Sequence, residues 1–106
     1  MNSIVLVTCP IESAEKISKT VLQERLAACV NIIRDVRSLF WWEGKIDTAE
    51  ESLLIIKTRT ELVTKLEDSI KRVHPYEVPE IIALPITQGN KKYLDWVNQE
   101  TASDNH

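Results

Sequence analysis

The stretch that decides the fold reads Ser38-Leu39-Phe40-Trp41-Trp42-Glu43-Gly44-Lys45-Ile46, at the centre of a run rich in β-branched and aromatic residues from Ala28 to Thr58. Two extended segments separated by Glu-Gly, in a chain with only two glycines, predict a β-hairpin. An unbroken strand from Ala28 to Trp42 would be about 50 Å long at roughly 3.3 Å per residue. A globule of this size is only about 33 Å across. The hairpin arms must therefore bend or overhang the body of the domain.

The predicted hairpin tip carries three aromatic residues, Phe40, Trp41 and Trp42. Each such ring removes about 150–250 Å² from water when it is covered. Three such rings together exceed the few hundred Å² of contiguous apolar surface that a soluble monomer ordinarily exposes. We therefore predict that another subunit covers the tip, and that Phe40, Trp41 and Trp42 form a subunit interface.

Length and composition indicate one ordinary soluble domain. The chain has 106 residues, is 43% hydrophobic and 27% charged, and has a formal net charge of −3, so we expect no nucleic-acid partner. Its first apolar run, Ile4 to Val7, is too short for a signal peptide or a membrane span, so we expect no membrane partner. Two cysteines without a secretory signal favour the cytoplasm. We assign residues 1–100 to a single domain and 101–106 to a flexible C-terminal tail.

The hydrophobic pattern predicts four strands and three helices. The predicted strands are Ile4–Val7, a second strand from Val30 with a bulge or bend at Arg34-Asp35, Leu53–Ile56 and Pro79–Ile86. For the polar stretch 47–51 before the third strand, a loop is the alternative to a strand. The predicted helices run from about Ser13 to Arg25, from a capping box at Thr58–Glu61 to Val73, and from Gly89-Asn90 onwards.

This order, strand-helix-strand-strand-helix-strand, predicts an α+β fold, the ferredoxin-like βαββαβ plait, with an extended β2–β3 hairpin and a C-terminal helix. Right-handed crossovers place strands one and three at the centre of the sheet and strands two and four at its edges. Open edges are an aggregation hazard unless they are paired. Head-to-tail pairing of edges between subunits closes only as a ring, and three subunits form the smallest ring beyond a dimer.

Five motifs resemble the CutA family of divalent-cation tolerance proteins. In chain order they are Leu26-Ala27-Ala28-Cys29-Val30-Asn31-Ile32, Phe40-Trp41-Trp42-Glu43-Gly44-Lys45-Ile46, Leu54-Ile55-Ile56-Lys57-Thr58, His74-Pro75-Tyr76-Glu77-Val78-Pro79-Glu80-Ile81 and Tyr93-Leu94-Asp95-Trp96-Val97. The resemblance covers about residues 4–98. It implies a ferredoxin-like fold, a homotrimer built through the long hairpin and the sheet edges, an architecture like that of the PII signalling proteins, and a link to tolerance of copper and other divalent metals.

Cys29 and His74 are the candidate metal ligands, because thiolate and imidazole suit copper and zinc. We expect the start of strand two and the end of helix two to lie at the same end of the molecule but at opposite sheet edges, roughly 14 Å apart. One chain cannot then supply both ligands to one ion, whereas two neighbouring subunits can. We predict weak binding of Cu²⁺ or another divalent cation there. The alternatives are a small buried cysteine and a histidine that terminates a helix.

Other polar residues have simpler interpretations. Cys9 closes strand one and is either an exposed loop thiol or, more often for such a residue, structural. Asp47, Glu50 and Glu51 are interpreted as a solvated face of the hairpin. Tyr76, Glu77 and Glu80 offer oxygen ligands near His74, or the two glutamates pair with basic residues across an interface.

The sequence carries no enzyme signature: we find no glycine-rich phosphate loop, HExxH helix or Gly-x-Ser-x-Gly elbow. We therefore predict a non-enzymatic, trimeric divalent-cation tolerance protein. The first alternative is a PII-like signalling trimer that binds a small anionic metabolite in clefts between subunits, with Arg34, Arg37, Lys57 and Lys71 as candidate contacts. A thiol-dependent enzyme is the second alternative.

Overall fold

A computed structural model describes residues 1–101 of the chain. The strands are β1 (Asn2–Pro10), β2 (Cys29–Trp42), β3 (Lys45–Arg59) and β4 (Ile81–Ile86), and the helices are α1 (Ala14–Gln23), α2 (Val63–Val73) and α3 (Lys91–Thr101). Short 3₁₀ turns, Ile11–Ser13 and Thr60–Leu62, precede α1 and α2. The predicted α+β order with a C-terminal helix is confirmed. No helix of the described chain is both long enough and apolar enough to cross a membrane.

The four strands form one antiparallel sheet in the order β2-β3-β1-β4. This confirms the prediction that β1 and β3 are central and that β2 and β4 are the edges. Alternate residues of the central strands, such as Val5 and its register partner Ile56, are fully buried. They share one hydrophobic core with Ile17 of α1 and Leu66 of α2, so the two helices cover one face of the sheet.

The opposite face of the sheet is apolar and only partly covered. Ile33, Ile82 and Leu84 remain between 45% and 48% exposed. α3 lies against one end of the sheet, where Asn2 Nδ2 donates to Asn98 Oδ1 at 2.8 Å. We predicted that a tail begins at Thr101, but Thr101 ends α3 and is fully buried. The rest of that predicted tail, residues 102–106, lies outside the described residues.

The hairpin is longer and more continuous than its sequence suggested. The predicted bulge is confirmed, because the register shifts between Ile33 and Val36 and Asp35 has a φ of 62°. The polar stretch 47–51, considered as a loop, is part of β3. At the turn, Glu43 and Gly44 have φ values of 50° and 81°, as two-residue hairpins require. The molecule measures 45 × 27 × 21 Å, consistent with an elongated shape.

The predicted helix starts are partly wrong. Thr58 forms no capping box: its Oγ1 donates to the carbonyl oxygen of Leu26 at 2.7 Å, and α2 begins after a 3₁₀ turn without a side-chain cap. Ser13 likewise provides no side-chain cap for α1. α1 ends at Gln23 rather than Arg25, which has a φ of 59° and reverses the chain towards β2.

Candidate functional site

A cleft of about 620 Å³ opens between the outer part of the hairpin and the loop that follows α2. We call it the acidic aromatic cleft, because carboxylates and aromatic rings dominate its lining. The lining residues are Thr8, Phe40, Trp42, Asp47, Glu51, Tyr76, Glu77, Val78 and Glu80.

His74 fixes the loop on one side of this cleft. The backbone leaves the helical region at His74, before Pro75, with φ −79° and ψ 135°. The buried imidazole has its Nε2 2.8 Å from the carbonyl oxygen of Thr8, and its Nδ1 accepts the backbone N–H of Tyr76 at 3.1 Å. Because a carbonyl only accepts and an amide N–H only donates, the proton lies on Nε2 and the ring is neutral. Neither ring nitrogen is free for a metal ion.

Tyr76 links the loop to the hairpin through Glu51. Its phenolic oxygen donates to Glu51 Oε2 at 2.8 Å. Burial, followed by the hydrogen bond to Glu51 and the charge of Glu51, raises the pKa of Tyr76 to about 12. The phenol therefore keeps its proton and remains a hydrogen-bond donor at neutral pH. Glu51 itself is only 5% exposed, although it is a carboxylate.

The other cleft carboxylates lie on the same two elements. Phe40 and Asp47 are register partners, and Asp47 lies on the same face of β3 as Glu51 because the two residues are an even number of positions apart. Thr8 Oγ1 donates to Glu80 Oε1 at 3.2 Å. The cleft lining contains no lysine, arginine or histidine. The site therefore presents negative charge beside aromatic surface.

The interpretation of Asp47, Glu50 and Glu51 as one solvated face is wrong for Glu51. Glu50 is exposed and points away from the cleft, whereas Glu51 is buried and lines it. If the whole polar stretch had been assigned to a strand, the alternation of side chains would have placed Glu50 and Glu51 on opposite faces of β3. The sequence offered no signal that the loop at Tyr76 would meet this part of the hairpin.

Cys29, the first residue of β2, lies in a different environment. It is half-buried and pairs with Lys57 of β3. Lys57 Nζ lies 3.8 Å from the Cys29 sulfur and also contacts Asn31 Oδ1. Burial raises the pKa of the Tyr93 phenol on α3. Cys29 lies close to this phenol, and its charge and a hydrogen bond to it raise the same pKa further.

The structure does not bring Cys29 and His74 together, and the expectation that they lie at the same end of the sheet is wrong. Cys29 pairs with Lys57, whereas His74 contacts Thr8, which pairs with Leu53. These two positions on β3 are separated by about 13 Å at 3.3 Å per residue. α2 runs back along the sheet, which places its end next to the end of β1.

Cys9, not Cys29, lies near the His74 end of the sheet. It is fully buried in the core, so it is not an exposed loop thiol. Burial, with the charges of Glu51 and Glu12, raises the pKa of Cys9 to about 11. A buried neutral thiol is a poor metal ligand, because the thiolate is the binding form.

The donor groups of one chain do not fit a tight metal site. Within residues 1–101, no three His, Cys, Asp or Glu side chains are grouped closely enough to hold an ion. Structural zinc sites generally use four ligands, and calcium uses six to eight oxygens. A metal site on this protein therefore needs either ligands from more than one chain or very few protein ligands.

The aromatic tip is exposed in the single chain. Trp41 is 74% exposed, Trp42 59% and Phe40 39%. Because β2 alternates, Phe40 and Trp42 lie on the cleft side, whereas Trp41 lies on the other side of the hairpin. The hairpin thus carries apolar surface on both faces.

Fold and site together define an α+β plait protein with a long aromatic hairpin and an acidic cleft. The model of the CutA1 divalent ion tolerance protein family matches residues 3–100. The chain belongs to this family, which confirms the resemblance inferred from its motifs.

Similar proteins come from distant organisms. The divalent-cation tolerance protein CutA of Thermus thermophilus is 47% identical over 95% of this chain and 99% of its own length. Human protein CutA is 51% identical over 95% of this chain, but the chain spans only 57% of the human protein.

Solved structures of family members share the fold. The Thermus thermophilus divalent cation tolerance protein superposes with a TM-score of 0.92 at 46% identity, over 94% of this chain and 98% of that one. The Archaeoglobus fulgidus protein, described as a periplasmic divalent cation tolerance protein, gives a TM-score of 0.92 at 44% identity, over 95% and 99% of the two chains.

Proposed function

We propose that this chain forms a homotrimer that contributes to divalent-cation tolerance by binding copper or another divalent ion weakly at its subunit boundaries, without catalysing a reaction. The observation that carries the proposal is the hairpin tip, where Trp41 is 74% and Trp42 59% exposed in the single chain. Family membership supports the cation-related role, since relatives are named divalent-cation tolerance proteins. The cytoplasmic location stays a prediction.

Three features support assembly. The aromatic tip is apolar, the sheet face opposite α1 and α2 exposes Ile33, Ile82 and Leu84, and both edge strands have unpaired sides. Exposed apolar surface and open edges are each unfavourable for a solitary chain. In a closed ring, where β2 of one subunit meets β4 of the next, no edge stays free. We propose that the neighbouring subunits also cover the aromatic tip and this face of the sheet.

For the metal, we propose Cys29 as the principal ligand. It lies at the start of an edge strand and is only half-buried, so an adjacent subunit could complete its coordination. The positively charged ammonium group of Lys57 lies beside the Cys29 sulfur and repels a metal ion there, which agrees with weak metal binding. His74, the other predicted ligand, can bind an ion only if one of its two ring hydrogen bonds breaks.

Native mass spectrometry tests the trimer directly, with an expected mass of about 36 kDa for three chains of 12.1 kDa. Leu39→Lys places a charge on the hairpin, where Leu39 is 63% exposed, and should weaken assembly without unfolding the chain. Gln23→Lys adds the same charge on exposed α1 and serves as the control. A folded monomer at micromolar concentration in the parent protein would rule out the assembly.

Copper titration tests the metal assignment. Cys29→Ser should lose most of the binding, whereas His74→Ala should bind like the parent. If Cys29→Ser also binds like the parent, Cys29 is not the ligand.

The rival PII-like role, with an anionic metabolite between subunits, receives no support from the acidic aromatic cleft. Its four charged lining residues are all carboxylates, and they repel anions. We therefore do not adopt that alternative.

A further inference from the structure

We draw no further inference here: the strongest candidate, the side-chain cluster of Cys29, Lys57 and Tyr93 where α3 meets the start of β2, belongs to the metal site already proposed at Cys29.

Discussion

Tyr76 donates a 2.8 Å hydrogen bond to the buried carboxylate of Glu51, and so joins the loop after α2 to the extended hairpin. These residues are separated by 25 positions in sequence, and the bond connects two elements that share few other polar contacts. A hydrogen bond to a charged acceptor contributes about 1.5–3 kcal/mol, and removing the donor leaves the buried oxygen without a partner.

The first prediction concerns this bond. Tyr76→Phe should lower the free energy of unfolding by about 1–3 kcal/mol, because Glu51 Oε2 loses its donor while the packing of the ring is kept. A double-mutant cycle with Glu51→Gln should show coupling of at least about 0.5 kcal/mol, measured by urea denaturation. The same cycle with Glu50→Gln should be additive. Additive effects in the Glu51 cycle would mean that the hydrogen bond does not stabilise the fold.

The second prediction concerns His74. His74→Ala should lower the free energy of unfolding by about 2–4 kcal/mol, since a buried ring and two hydrogen bonds are lost together. Hydrogen exchange of the Tyr76 amide should become faster, because Nδ1 accepts that N–H in the parent. A variant that keeps its stability but loses copper binding would instead identify His74 as a metal ligand.

Much of the fold could be predicted because it depends on local patterns. Periodicity located every strand and helix, proline placed β4 at an edge, and the Glu43-Gly44 dipeptide located the hairpin turn. The helix caps were harder to predict. Thr58 has the residue type of a cap, but its hydroxyl instead bonds to Leu26, a partner 32 positions away.

The site was predictable only in part, because it depends on contacts between distant segments. The sequence placed Tyr76, Glu77 and Glu80 near His74, but not against the hairpin. Glu51 and Glu50 look alike in the sequence, and only continuous strand structure through the polar stretch makes one buried and the other exposed. The direction of α2 decides that Cys29 and His74 are apart. This direction follows from the predicted order, because a helix that starts after β3 runs back along the sheet and ends away from the start of β2.

The third prediction concerns the hairpin turn. Gly44 has a φ of 81°, and a Cβ built on it would meet nothing within 4 Å, so the only cost of a side chain is backbone strain. Gly44→Ala should therefore destabilise the fold by about 1–2 kcal/mol. Glu43→Asn should stabilise it by about 0.5 kcal/mol, because Asn tolerates the φ of 50° better than Glu. Thermal or urea unfolding measures both changes, and equal stability of the Gly44→Ala protein would show that the turn relaxes to another conformation.

The last prediction is the alkaline limit of stability. Burial, together with the charges of Glu51 and Glu12, raises the pKa of Cys9 from 9.0 to about 11. Because the pKa is higher in the folded state than in the unfolded chain, the contribution of the neutral thiol is complete below about pH 9 and is lost as the pH rises through about 11. A pKa shift of about two units corresponds to a loss of roughly 2–3 kcal/mol in the free energy of unfolding when the thiol ionises.

Urea denaturation between pH 8 and about pH 11 measures this effect. The unfolding free energy of the parent should fall over that range, and that of Cys9→Ala should fall less. The phenol of Tyr76, with a pKa of about 12, titrates in both proteins, so the difference between their curves isolates the thiol. Parallel curves would show that Cys9 ionises in the fold as easily as in the unfolded chain, and that the core around it is open to water.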